Sequence, residues 1–421
     1  MEIKLAGNLK IETDIPILKV VDFHFIWRLN CHAMLKLTGY INRNIEWNPG
    51  DYDSQIKIFL EETDGIKILF YGCVVKVLIN TAGNMEQIYL ESMSATFRLD
   101  QQIASRSFQN PVKTYGEVVR HVVEVEGGQV IRNKECDKQI ESPVIRYEET
   151  AWQFVERMAG RLGTYIIPDV QTGKPNLWFG MRKGKEVSRL SEEQCIIDLY
   201  PIGKMIGIRY KVEGRTPYKI GDCMTYLGRK LTIMEVEGRY ERGELIFKYV
   251  LEDLAVRHTK FQHRSHSAGL GLRGTIRDIK AESVTISLDI DKGENTGDYF
   301  YSWQPDTGNS LYAIPEKGSR VLLYFYSADE RDGAVIHCLD KESEKVHNYK
   351  NRVLDIENGN SVYLSKEEVN FSKDGEHNLV IGDGSVFAGT QKGLSIHAGT
   401  VWLRGKRIMI KTPDEFNISQ G

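Results

Sequence analysis

Apolar positions along this chain follow three successive rules of spacing. Over roughly the first 110 residues they alternate with polar ones, as at residues 18–29, 34–41 and 87–92. Period-2 placement gives each strand one apolar face, so this region predicts a sheet. Residues 67–79 read as a strand, a break at Gly72, and a second strand. The period then changes to that of a helix at two places. Thr114 with Glu117 three residues on predicts a capped helix, with Val118, Val119, Val122 and Val123 as its stripe and Gly127-Gly128 as its stop. Thr150 with Gln153 predicts a second, with Ala151, Phe154, Val155, Met158 and Leu162 on one face and Gly163 closing it. Core packing is the ordinary meaning of both stripes. Strand patterns resume at residues 164–167, 176–180, 206–212, 230–237 and 244–251. After a polar stretch at 258–271, about five short strands fit between 272 and 339, the size of a small closed barrel of the OB type.

The third rule governs the last sixty residues. Apolar onsets fall at Val362, Val369, Leu379, Val386, Leu394, Val401, Ile408 and Phe416, mostly seven or eight apart, with turn formers such as Lys373-Asp374-Gly375 and Gly382-Asp383-Gly384 between them. Some pieces alternate and others are apolar throughout. A fixed step with a turn at each repeat predicts a β-prism or β-helix. One such chain cannot enclose its own apolar face and needs neighbours. The alternative is an ordinary meander of hairpins, which usually has longer and less uniform strands. The residues expected to form a shared core are Val362, Leu364, Val369, Phe371, Leu379, Ile381, Leu394, Ile396, Val401, Leu403, Ile408 and Ile410.

The composition is that of a globular protein with ample core material: 421 residues, 41% hydrophobic and 27% charged. A net charge of −3 without a long basic run argues against a dedicated nucleic-acid binder. Residues 68–79 are too short, and interrupted by Lys76, for a membrane span, and the N-terminus lacks an apolar signal core, so folding in the cytoplasm is expected. The six cysteines are too scattered for a metal knuckle or a disulfide framework.

Candidate chemistry is sparse. Gly269-Leu270-Gly271-Leu272-Arg273-Gly274 matches GxGxxG, but a strand pattern follows it where a dinucleotide site needs a helix, so it reads as a flexible linker. His258, His263 and His266 cluster within nine residues in no common zinc spacing, and a solvated linker is the simpler reading. Acid pairs such as Glu148-Glu149 are expected among 58 acidic residues. No catalytic constellation, cofactor site or metal site stands out, and the chain reads as a non-enzyme.

The succession of parts resembles the VgrG-type spike of contractile injection systems, related to phage tail hub and spike proteins of the late-control D family. Residues 147–163 resemble that family's hub helix, carried by Tyr147, Glu149, Trp152, Phe154, Arg157 and Gly163. Ser105-Arg106-Ser107-Phe108-Gln109 looks like a second hub element. Pro315, Gly318, Val321, Leu323 and Phe325 resemble the P-x-x-G-x-x-V-x-V-x-F stretch of its OB domain, with Leu323 at the second valine. The resemblance implies a mainly β protein with a small α+β part. A tail-hub-like domain of two barrel-like subdomains would occupy 1–262, a linker 263–271, an OB-fold domain 272–340, a linker 341–350 and a β-prism needle 351–421. It also implies a homotrimer whose partners are an inner tube or tube-initiator protein, baseplate proteins, a PAAR-like tip protein and possible effector cargo. A target membrane would be met only on injection. The linker before the needle is too short for the lysozyme domain of some phage spikes, and the short needle ending at Gly421 is expected either to meet a separate PAAR-type tip protein or to be truncated. The alternative reading is a solitary OB-fold binding protein for oligosaccharide or nucleic acid.

Overall fold

A computed structural model describes residues 1–41, 54–82, 85–187, 195–202, 205–226, 228–254, 268–294, 297–305, 313–339, 350–356 and 359–419. His258, His263 and His266 lie outside the described residues, as do 341–349 of the second linker and 263–267 of the first. The chain divides into two compact units, Met1–Lys341 and Glu342–Gly421.

A twelve-stranded antiparallel sheet frames the first unit. Its order runs Glu2–Lys4, Leu9–Thr13, Gln55–Glu62, Gly65–Ala82, Met85–Ser94, Met34–Ile41, Ile17–Arg28, Arg229–Glu241, Glu244–Glu252, Met205–Gly214, Cys195–Ile202, with Cys223–Tyr226 paired beside Arg229–Glu241. The seam between the early and late strands lies where Phe23, Phe25 and Trp27 face Tyr240, Gly238 and Val236. Gly238 is needed there, because a Cβ would stand 2.2 Å from the Phe25 ring. Phe23, Phe25, Trp27, Phe70, Phe247 and Tyr249 fill the core behind the seam. Gly72 does not break its strand. Gly65–Ala82 is one strand of 18 residues, and Gly72 serves close packing, since a Cβ there would meet the Met93 carbonyl at 2.2 Å.

Two helices form a second layer, α1 at Tyr115–Val125 and α2 at Ala151–Leu162. Both start with the capping boxes read from the sequence. The Thr114 and Thr150 hydroxyls accept from the N–H of Glu117 and Gln153, whose side chains accept from the cap N–H in return. α2 ends at Gly163, whose φ of 65° is the left-handed conformation glycine adopts without strain. Val118, Val119, Val122, Phe154, Val155 and Met158 meet in a separate core.

The barrel follows, in the order Tyr301–Ser302, Ser283–Leu288, Gly271–Lys280, Arg320–Phe325, Gly333–Leu339. A parallel bridge between Trp303 and Val335 brings its two outer strands together. The GxGxxG segment belongs to this barrel rather than to a flexible linker. The Gly269 N–H donates to the Phe325 carbonyl at 2.8 Å, and Gly271 and Gly274 lie in a strand. A Cβ at Gly274 would press on Ile286 and the Ser287 carbonyl, so the glycine permits close pairing of strands.

The second unit is simpler. Strands Arg352–Ile356, Asn360–Leu364, Glu368–Lys373, His377–Gly382 and Ser385–Gly389 form an antiparallel meander. The strands predicted at Leu394–Ile396, Val401–Leu403, Ile408–Ile410 and Phe416–Ile418 are absent within the chain. Residues 390–419 contain no strand and are exposed throughout.

Candidate assembly interface

Two of the residues that carry the hub-helix pattern, Glu149 and Arg157, meet in one buried ionic node. A bulge between Arg146 and Glu149 inserts one extra residue opposite Arg106–Ala104, with Glu148 at a positive φ of 48°. That bulge re-aims Glu149 toward α2. Arg157 grips its carboxylate with both arms, Nε to Oε1 at 3.0 Å and Nη2 to Oε2 at 2.8 Å. Arg157 also donates through Nη2 to the Ile145 carbonyl at 2.6 Å and through Nη1 to Glu330 at 2.7 Å. Arg161, one turn further along the same helix face, pairs with the other Glu330 oxygen. Burial, and the nearby Arg157 charge, hold the Arg161 guanidinium down at about 10. Glu330 opens the short turn Glu330–Asp332 at the edge of the barrel, so the node crosses from helix to barrel. Glu330 and Arg161 were not among the residues singled out from the sequence; a lone glutamate in a polar turn carries no periodic signal.

The rest of the pattern surrounds this node. Trp152 packs on His32 with ring centroids 4.1 Å apart. The His32 ring nitrogens lie 2.9 Å from Thr96 and 2.9 Å from Asp100, and Thr150 donates to Asp100 as well. Phe154 is fully buried beneath the Arg157 guanidinium, and Tyr147 packs against the barrel core. The second hub element also reaches the barrel. Ser107 donates its N–H and hydroxyl to Asp291 at 2.7 and 2.6 Å, and Gln109 donates to Ser107. In the barrel, Gly318 turns at a φ of 85° and donates to the Ile276 carbonyl, which aims Val321, Leu323 and Phe325 into the core. Pro315 precedes that turn and lies outside every strand.

In the second unit the register aligns apolar residues on one face. Leu354, Val362, Phe371, Leu379 and Ala388 stand opposite one another across the five strands, and Leu364, Val369, Ile381 and Val386 form the row beside them. Six of the twelve predicted core positions therefore share a single sheet face. The other six, Leu394, Ile396, Val401, Leu403, Ile408 and Ile410, follow in the extended segment. No described residue of this unit is buried, and Phe371, Leu379 and Ile381 on this face are each 40% or more exposed. A smaller apolar strip lies in the first unit, on the outermost hairpin, where Ile197, Leu199 and Ile206 share one face and are each more than half exposed.

Asp374, Glu376 and His377 bring ligand atoms within 4.8 Å of one another. Both carboxylates face solvent, and His377 already bonds Thr390 through Nδ1 at 2.7 Å, so nothing sets them apart from an ordinary acidic turn. Among the described residues no helix is long and apolar enough to cross a membrane.

No protein-family model and no curated relative matches the chain. Solved structures do. The E. coli c3393 protein, described as a component of the type VI secretion system with structural similarity to the T4 bacteriophage tail proteins gp27 and gp5, superposes at a TM-score of 0.56 and 12% identity, over 78% of this chain and 99% of that one. Chains of PdpA–VgrG complexes superpose at 0.58 and 8% identity over 92% of this chain, covering 98% of the neighbour in the lidless form and 81% in the lidded Francisella form. This chain therefore has the mainly β fold of tail hubs and VgrG-type spikes, shared between secretion systems and phage tails.

Proposed function

We propose that this protein is the central hub and spike at the tip of a contractile injection system, acting as a homotrimer that joins the inner tube to the tip and is driven through a target membrane. The observation that carries this reading is the second unit: a sheet with a continuous apolar face and, among its described residues, none that is buried. Burial of apolar area contributes roughly 25 cal/mol per Å², and a five-stranded meander that leaves much of its apolar face exposed has little to hold it together alone. Three copies turning these faces to a common axis would supply both the missing core and the backbone partners for residues 390–419. The fold likeness supports the same reading, since it extends through nearly the whole chain. Rigidity, rather than chemistry, is then the function, and the protein is a structural component rather than an enzyme.

In this reading the first unit faces the inner tube or its initiator and the baseplate, and the apolar outer hairpin at Ile197 and Leu199 suits a hub that meets other subunits. A PAAR-like protein would cap the C-terminal end, effector cargo would ride on the particle, and assembly would take place in the cytoplasm. Light scattering on the full chain and on a form lacking residues 351–421 tests the proposal. A trimer that depends on the last seventy residues is expected. A monomer in both forms would end the spike reading and favour a solitary OB-fold binding protein.

A further inference from the structure

The four-residue node lies where the helical layer meets the barrel, and its chemistry is that of a lock. α2 presents Arg157 and Arg161 at a spacing of four, on one face. The bulged strand presents Glu149 and the barrel presents Glu330, and all four side chains are buried or nearly so. Two positive and two negative charges leave no net charge inside. Such a set adds little stability over apolar side chains of the same volume, but it is costly to break, because one missing partner leaves a buried charge uncompensated. It also fixes geometry. Apolar surfaces can slide on one another, whereas a bidentate guanidinium fork holds a carboxylate in one orientation. Both carboxylates are anchored in turn by backbone. Glu149 sits on a bulge, and Glu330 opens a turn whose preceding residue, Asp329, accepts from the Arg331 N–H at 3.1 Å.

We propose that Arg157, Arg161, Glu149 and Glu330 form a latch that docks the barrel rigidly on the helical layer of the hub. The helical layer has its own apolar core, and the barrel core takes in Ile145 and Tyr147 from the bulged strand, so an apolar contact lies beside the latch. What the latch decides is their fixed orientation. Asp291, held by Ser107, provides a second point of attachment, and two points leave the barrel rotation about one axis only. Under the spike reading, on which only this last step rests, the latch passes axial thrust from hub to barrel without letting the barrel tilt.

A double-mutant cycle on the full chain, read by hydrogen exchange, tests this. Arg157→Met and Glu330→Met should each raise exchange roughly tenfold or more at residues 145–149 and 329–333, as expected when a buried charge loses its partner. Strands Ser283–Leu288 and Ile17–Arg28 should keep their original rates. The double variant should be no worse than the worse single one. Additive effects, unchanged exchange at both contact segments, or a rise spread evenly through the barrel core would each overturn the proposal. If Arg157→Met fails to fold, Arg157→Lys keeps the charge but loses the fork, and it should show the same local pattern more weakly. Native mass measured on the same samples separates the two ideas: a monomer with the predicted exchange pattern would sink the spike and leave the latch standing.

Discussion

The barrel strand Arg320–Phe325 and the second-unit strand Glu368–Lys373 are both six residues long and carry apolar side chains at alternate positions. Val321, Leu323 and Phe325 are fully buried. Their counterparts Val369 and Phe371 are not, and Phe371 remains 46% exposed. The strands themselves do not explain the difference. In the barrel the sheet curls until Trp303 meets Val335, so one chain closes its own core. In the second unit the sheet stays open, and none of its described residues is buried. One sequence pattern thus has two outcomes, a closed core in the barrel and an exposed apolar face in the second unit.

The substitution with the largest expected effect is Ile396→Arg. If the needle is a three-copy core, it places three unpaired charges near one axis, and trimers should vanish from light scattering while the first unit keeps its thermal transition. A stable trimer would break the comparison at its root. Phe325→Ala and Phe371→Ala form the next pair. Emptying the barrel should cost about 3–5 kcal/mol of chain stability in denaturant titration. Phe371→Ala should cost the isolated chain less than about 0.5 kcal/mol but weaken assembly on dilution. Equal effects would show that the two strands do not differ as proposed. Thr150→Ala removes the cap of α2 and a bond to Asp100, and should cost about 1–2 kcal/mol without altering native mass.

The smallest effect concerns acid. Burial, followed by the Arg106 and Lys113 charges, holds the His121 imidazole below its usual 6.5, against the weaker pull of Glu124 and Glu294. The unfolded chain therefore takes up that proton before the folded one does. The histidine's contribution is intact above pH 6.5 and turns unfavourable as the pH falls below it. Denaturant midpoints of His121→Gln should decline less steeply than those of the parent chain below that pH. Parallel slopes would remove His121 from the account.

Much of the fold could be read because local rules sufficed. Both helices begin at Thr114 and Thr150 and stop at their glycines, since capping depends on residues three or four apart. The barrel stretch from Pro315 to Phe325 was visible as a turn followed by alternation. Gly72 and Gly274 were misread for one reason. Glycine marks a break only when nothing presses on the backbone, and here Met93 and Ile286 do. The latch was half visible: Glu149 and Arg157 stood out within the hub-helix pattern, but Arg161, Glu330 and Asp291 looked like ordinary surface charge.

By itself the sequence determined the strand periodicities, the helix limits, the barrel core and the seven-to-eight-residue ladder, all of them properties of neighbours along the chain. Only the tertiary structure decided that one sheet spans the first unit through the pairing of Ile17–Arg28 with Arg229–Glu241, that Glu149 and Glu330 share Arg157, and that no described residue of the ladder is buried. Those outcomes depend on which distant backbones and charges come within a few ångströms of each other, and no local spacing encodes that distance.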